Sequence, residues 1–303
     1  MAIGIEGLFS FLIALATVCL LAYTLCNRKW WSVPVLVLAG IAYFLINYGY
    51  WYLSVALIPF LLLPLHKDVG YEGLAAFSII PAIALAHFML MLFSTYPVPG
   101  LSWIAIAAVT AVCALGILGT FEDDLKRFLV YSNLLQLSFV LLDLSVASIS
   151  GKLDVLGTVQ IFNYTFAGLL LFVALGVLSR NLRFGTISGM EGRFYSEKVS
   201  ATGAVIAGLS LVGLPGLNIF VAEYFLFVAA FTINPMITVL GVFAALILFI
   251  MYFKVPYALL VSREKAHIKS PLPLDGVCLA LAAAVIALGL LPQLQLYVLT
   301  GVI

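Results

Sequence analysis

The chain has 303 residues, 65% of them hydrophobic and only 9% charged, with a mean hydropathy of +1.22, whereas soluble domains are about 45–50% apolar and about 25% charged. That composition excludes a water-soluble fold, and a net charge of +1 leaves no basic footprint for nucleic acid. No polar stretch is long enough for a soluble domain, the longest running from Arg180 to Lys198.

A bilayer core about 30 Å thick takes about 20 residues of helix to cross. Apolar runs between polar and Pro/Gly breaks predict an all-α, polytopic transmembrane bundle of ten spans: 5–26, 31–47, 50–66, 74–95, 100–120, 126–148, 155–180, 199–231, 235–262 and 274–299. The first run has no basic segment before it and no small-residue cleavage site, so it reads as a retained helix rather than a signal peptide. Two spans could be divided otherwise: 31–66 as one long helix, or 199–231 as two spans.

Loop charge decides both, because Lys and Arg concentrate in short cytoplasmic loops. With ten spans, alternate loops carry Arg28 and Lys29; Lys67; Lys126 and Arg127; Arg180, Arg183, Arg193 and Lys198; and Arg263, Lys265 and Lys269. Those are 12 of the 14 basic residues, with only Lys152 in a loop on the other face and Lys254 inside a span. Ten spans therefore place both termini outside and the basic loops in the cytoplasm of a prokaryotic cell membrane.

The span 199–231 holds Gly213-Leu214-Pro215-Gly216 at its middle. Proline removes a helical hydrogen bond and clashes with the preceding turn, and glycine lets the backbone unwind. Unwound backbone at membrane depth persists where it is buried in protein or lines a wet cavity, and broken helices mark ion sites in transporters. A simple kink is the plainer alternative. The span 50–66 also contains two prolines, Pro59 and Pro64, and two broken helices suggest two related halves.

An ionisable group at mid-membrane costs at least about 2.5–3.5 kcal/mol on insertion scales, so a retained one usually has a function. Glu223 is the clearest case, about two helical turns past the break with no charge nearby in sequence. A carboxyl held in hydrocarbon suits a group that binds and releases a proton. His87 is the only histidine in the interior of a span; it reads either as a relay or as a neutral hydrogen-bonded residue. Asp143, near the outer end of its helix, reads as an exit carboxylate or an interfacial one, and Lys254 as a path residue or a lysine snorkelling to the cytoplasmic surface. Ser132, Asn133, Gln136, Asn163, Tyr164 and Thr165 cluster in the sixth and seventh spans, suited to interhelical hydrogen bonds or to a water file. The four cysteines, Cys19, Cys26, Cys113 and Cys278, have no CxxC spacing and read as packed thiols. No metal-ligand cluster, phosphate loop or hydrolytic constellation is present in the sequence, and no cofactor is expected.

The segment Asp124-Leu125-Lys126-Arg127-Phe128-Leu129-Val130-Tyr131-Ser132-Asn133-Leu134-Leu135-Gln136 resembles the D-L-K-R-x-x-A-Y-S-S-I-S-Q signature of the antiporter-like subunits of complex I, related membrane-bound hydrogenases and Mrp-type antiporters. Further on, Gly213-Leu214-Pro215-Gly216-Leu217-Asn218-Ile219-Phe220-Val221-Ala222-Glu223 resembles that family's G-L-P-P-x-x-G-F-x-x-K/E segment on a discontinuous helix. The resemblance is good over about residues 99–262. In the first half, Pro64-Leu65-His66 is similar to the family's P-x-H-x-W-L-P, and His87 then takes the slot of a lysine or histidine. The departures are specific: Pro59 stands in place of the broken-helix lysine, the Trp51 region offers no partner glutamate, and Asn163 and Ala167 stand where the family has histidine and lysine.

The resemblance implies a reduced N-terminal repeat over 1–98, a complete second repeat over 99–262 with its broken helix, and a C-terminal loop and helix over 263–303. It implies a proton-translocating subunit, proton or sodium being the ion, whose partners are other membrane subunits of a complex I-like or hydrogenase-like assembly. The expected path residues are Glu223, His87, Lys126, Asp143, Asn163 and Lys254, with the break at Gly213, Pro215 and Gly216.

Overall fold

The computed structural model describes residues 5–26, 32–58, 61, 71–151, 153–191, 194, 197–261 and 272–300. The described residues form helices α1 (Ile5–Cys26), α2 (Ser32–Asn47), α3 (Tyr71–Thr95), α4 (Leu101–Phe121), α5 (Leu125–Ser150), α6 (Leu153–Leu182), α7 (Lys198–Leu211), α8 (Asn218–Ile233), α9 (Pro235–Leu260), α10 (Leu272–Leu290) and α11 (Pro292–Thr300). Short 3-10 turns lie at Trp51–Leu57 and Ser188–Met190.

Six of these helices are long and apolar enough to cross a membrane, and four shorter apolar ones accompany them. Helix is what hydrocarbon demands, since it satisfies the backbone within the segment. The ends are set by local chemistry. Asp124 caps α5 by accepting from the Arg127 N–H at 3.0 Å, and Asn234 caps α9 by accepting from the Met236 N–H at 2.9 Å, with Pro235 at the first position. Gly151 closes α5 in the left-handed conformation at φ 68°, which a side chain would oppose.

The sixth helix is the axis of the bundle. It packs against α1, α3, α5, α7, α8, α10 and α11, and its apolar window is buried throughout. By contrast, only 28% of the window of α4 and 33% of that of α9 are buried, so these two form an outer wall of the bundle. They approach closely because Gly116 and Gly119 on α4 receive Ile247 and Met251 of α9; a Cβ at either glycine would collide with those side chains.

Three spans are divided. The span 199–231 is two half-helices, α7 and α8, parted at residues 212–217, around the Gly213-Leu214-Pro215-Gly216 segment. In the span 50–66 the residues Trp51–Leu57 form a 3-10 turn, while Pro59 and Pro64, with His66, lie outside the described residues. The last span is divided at Leu291 into α10 and α11, because Pro292 cannot donate into the preceding turn. Of the basic loop residues, Arg28, Lys29, Lys67, Lys152, Arg193, Arg263, Lys265 and Lys269 also lie outside the described residues.

One end of the bundle is tied together by its loops. Asp124 pairs with Thr186 in an isolated antiparallel bridge. The Leu125 N–H donates to Gly185 O at 2.9 Å, and the Ile187 N–H to Asp123 O at 2.8 Å. The Asp123 carboxylate accepts from the Ser188 N–H at 2.9 Å and the Ser188 hydroxyl at 2.7 Å. This brings Lys126 and Arg127 to the same end of the bundle as Arg180, Arg183 and Lys198.

Candidate functional site: the broken helix and the polar core

The break is a true unwinding rather than a kink. Gly213 and Gly216 both have positive φ, 77° and 92°, a region that costs other residues about 1–2 kcal/mol. The turn holds itself by the Gly213 N–H to Ser210 O at 2.9 Å, the Leu214 N–H to Leu209 O at 3.2 Å and the Leu217 N–H to Leu214 O at 3.1 Å. Pro215, between the glycines, has no N–H to offer.

Asn218, the first residue of α8, joins the two halves. Its Oδ1 accepts from the Ser210 hydroxyl of α7 at 2.6 Å, and its Nδ2 donates to the main-chain oxygen of Asn163 on α6 at 2.8 Å. The Asn163 amide donates to Gln295 Oε1 of α11 at 2.8 Å and to Val159 O at 3.1 Å. Gln295 in turn donates to Leu288 O at 2.7 Å. Backbone contact adds to this chain: a Cβ on Gly289 of α10 would overlap Gly216 O and the main chain of Leu217. The C-terminal helices therefore lie directly on the break.

Glu223 is one and a half turns into α8 and only 6% exposed. Its carboxylate lies against Gly213, within the unwound turn. It also lines a groove of about 590 Å³ between α8 and α9, walled by Phe220, Tyr224, Phe227, Phe231 and Phe249. Tyr252 of α9 is within electrostatic reach of it. Among the described residues no basic side chain pairs with it.

The polar cluster of α5 and α6 is a set of interhelical hydrogen bonds. Gln160 donates to Gln136 at 3.0 Å, and Gln136 donates to the Tyr252 hydroxyl at 3.3 Å. That hydroxyl also lies 2.8 Å from the Ser132 hydroxyl. Separately, the Tyr164 hydroxyl donates to Asn133 Oδ1 at 2.8 Å and Asn133 Nδ2 to Ser78 O at 3.1 Å. Thr165 donates to Ile161 O at 2.8 Å along its own helix.

The remaining expected path residues are dispersed. His87 is 1% exposed on α3, with the Phe9 ring edge-on at 4.9 Å, and neither ring nitrogen has a hydrogen-bond partner among the described residues. Asp143 is 3% exposed and lies about two turns inside the end of α5. Lys126 is half-buried in the first turn of α5, at the surface end of the bundle. Lys254 is half-buried, and its ammonium donates to Thr120 O and Glu122 O at 2.7 Å each and to Gly119 O at 3.4 Å. It caps the C-terminus of α4, where the free carbonyls and the helix dipole favour a cation.

At that same end, outside the membrane-spanning segments, burial alone would raise the Asp123 carboxyl. The Ser188 hydroxyl and N–H, the Lys254 charge and the Ile187 N–H outweigh it and hold the group below the usual aspartate range. Glu197, ahead of α7, is raised, chiefly by burial and also by Asp275, against the lowering bond from Asn181.

Sequence reading overlooks Asn218, Gln160, Gln295 and Tyr252. Asn218 stood inside the break motif, and the two glutamines are amides in apolar runs, a visible signal. Tyr252 gave none, because nothing around it in the apolar run 235–262 marks it as meeting Ser132 and Gln136. Among the described residues no group of three or more His, Cys, Asp or Glu side chains could hold a metal.

Residues 74–250, more than half of the chain, match the family model described as NADH:quinone oxidoreductase/Mrp antiporter, TM. The match begins earlier than the motif resemblance and takes in His87. NADH-quinone oxidoreductase subunit N of Dehalococcoides mccartyi is 25% identical over 225 residues, covering 70% of this chain and 46% of that protein. The chain spans about half the length of such relatives. Among solved structures, the Mrp complex from Dietzia sp. DQ12-45-1b matches with a TM-score of 0.73 at 14% identity, covering 98% of this chain and 84% of that one. The membrane-bound sulfane sulfur reductase, an archaeal respiratory membrane complex, matches with a TM-score of 0.64 at 19% identity, covering 97% and 70%. The chain is thus a multi-pass membrane protein and belongs to the NADH:quinone oxidoreductase/Mrp antiporter transmembrane family.

Proposed function

We propose that this chain is a proton-translocating subunit in the membrane arm of a respiratory, complex I-like or hydrogenase-like assembly, with Glu223 as the group that loads and unloads the proton. The observation that carries it is the placement of Glu223: a carboxyl 6% exposed, set against an unwound turn in a membrane helix, with no basic partner among the described residues. A buried ionisable group beside a helix break is where transporters bind ions. Partners are inferred from the relatives, which are subunits of NADH-quinone oxidoreductase or parts of the Mrp and sulfane sulfur reductase complexes. Redox cofactors would belong to those partners. Ten spans, a prokaryotic plasma membrane and both termini outside remain our reading, supported by the clustering of Lys126, Arg127, Arg180, Arg183 and Lys198 at one end.

The proposed path leans on Glu223 and His87. The Asn163 amide is engaged in holding α11 and Lys254 in capping α4, so we assign both to support. Asp143 and Lys126 keep the places of an outer-half carboxylate and a surface cation. A non-conducting spacer is the competing reading; its support is that Asn163 and Ala167 replace ionisable residues of the family pattern.

Two experiments decide. Purification from native membranes should bring down subunits bearing iron–sulfur or flavin groups; isolation as a lone, active transporter contradicts the assembly. In that assembly Glu223→Gln should lower proton translocation per electron transferred, with or without sodium present. Unchanged pumping gives the spacer reading the field.

A further inference from the structure

Resting on the proton-path reading of Glu223, we infer that Tyr252 is the hydroxyl relay connecting the cytoplasmic half of the bundle to that carboxylate. Tyr252 is 0% exposed on the outer helix α9, yet its ring turns inward, edge-on to Phe128 with centroids 6.2 Å apart. Its hydroxyl is the meeting point of a chain that crosses three helices: Gln160 on α6, Gln136 and Ser132 on α5, and Tyr252 itself.

The chemistry within that chain is uneven. Gln160 and Gln136 are amides, which orient a neighbour but do not readily take and give a proton. Tyr252 and Ser132 are hydroxyls, each both donor and acceptor, 2.8 Å apart. The Gln136 N–H donates to the phenol oxygen, which leaves the phenol's own hydrogen to point at Ser132 or away from it. A proton arriving at the Ser132 oxygen releases that hydroxyl's hydrogen to the phenol oxygen, and the phenol releases its own toward Glu223. Both hydroxyls end as they began, with one proton moved and no net charge left behind.

Position agrees with this order. Tyr252 is eight residues, about 12 Å at 1.5 Å per residue, from the end of α9 that carries Lys254 and the Asp123 loop. Ser132 is seven residues, about 10 Å, from the same end of α5. Glu223, in the outer half-helix, faces the stretch of α9 around Ala245 and Phe249, one to two turns above Tyr252. The two side chains are not hydrogen-bonded, so the last step requires a water or a swing of α8 about its glycine turn. The groups facing the phenol are Ser132 and Gln136 of α5, Tyr164 of α6 and Glu223 of α8; Lys254, two residues on, is turned to the end of α4.

The test uses the assembled complex in sealed vesicles, reading the rate of proton translocation and the protons moved per electron transferred. Tyr252→Phe should lose the same share as Glu223→Gln, whereas Ser132→Ala should lose part of it. Fluorotyrosines placed at 252 keep the ring and its contacts while making the phenol more acidic, so a relay predicts a graded rate change, about threefold or more across the series. A phenol that only braces α9 against α5 predicts a flat series, and that result overturns the inference. Loss in Glu223→Gln with wild-type behaviour in Tyr252→Phe rejects Tyr252 alone. No loss in Glu223→Gln rejects the proton-path reading and Tyr252 with it.

Discussion

Oε2 of Glu223 occupies the space in which a side chain on residue 213 would begin. The glycine of the break and the carboxylate ten residues later are thus one feature. The positive φ of Gly213 turns the chain, and the absent side chain admits the acid. Gly213→Ala should meet both constraints at once. The left-handed conformation costs alanine about 1–2 kcal/mol, and the new methyl displaces the carboxylate. A lower melting temperature in detergent, together with proton translocation reduced as far as in Glu223→Gln, is the expected pair of results. A Cβ at Gly216 would make only an ordinary contact with Leu290, so Gly216→Ala should show the stability loss with a much smaller effect on transport.

Asn218 offers a test of what holds the break in place. It is fully buried and ties Ser210 to the Asn163 carbonyl. Replacing it by leucine leaves the buried Ser210 hydroxyl without its partner, at about 1–3 kcal/mol for such an orphan, and removes the tie from the break to α6. The variant should unfold at clearly lower temperature, and hydrogen exchange should rise first across residues 209–219. Equal exchange in wild type and variant would mean that the turn is held by its own backbone bonds.

Much of this arrangement was legible in the sequence. Apolar run lengths marked the helices, and Gly213, Pro215 and Gly216 marked the break, because backbone constraints act locally. Glu223 stood out because a lone carboxylate in hydrocarbon is costly wherever the chain folds. What stayed hidden depends on contacts between distant segments. Lys254 reads as a snorkelling lysine until the end of α4 arrives beside it, 132 to 135 residues away in sequence. Asn163 reads as a substituted path residue until Gln295 is found on its amide, 132 residues away. Tyr252 and Ser132, 120 residues apart, carry no local sign of meeting.

Lys254 should therefore behave as a structural cation. Lys254→Met removes the donor that serves three carbonyls at the end of α4. A cation at a partly buried helix C-terminus contributes about 1–2 kcal/mol, so thermal stability should fall while proton translocation per electron in the intact complex stays near wild type. Lys254→Arg should restore most of the stability. A transport defect in the methionine variant at full assembly would return Lys254 to the path.

The surface clamp has its own acid signature. The Asp123 carboxyl is held below the usual aspartate range by Ser188, Lys254 and Ile187. A carboxyl lowered on folding contributes its stability above the unfolded-state value, about 3.9, and loses it as the pH falls through the lower folded value. The loop around Ser188 should thus be indifferent to pH between about 5 and 8 and should loosen only under strong acid. Exchange of the Ser188 amide with solvent, followed from pH 5 down to pH 3, measures this directly. Asp123→Asn should show fast exchange already at neutral pH, since it keeps the size of the side chain but not the charge that Ser188 and Lys254 hold. A wild-type protein whose Ser188 amide opened near pH 6 would require a different group to govern the clamp, with Glu197, raised by burial at the start of α7, the next to be replaced by glutamine.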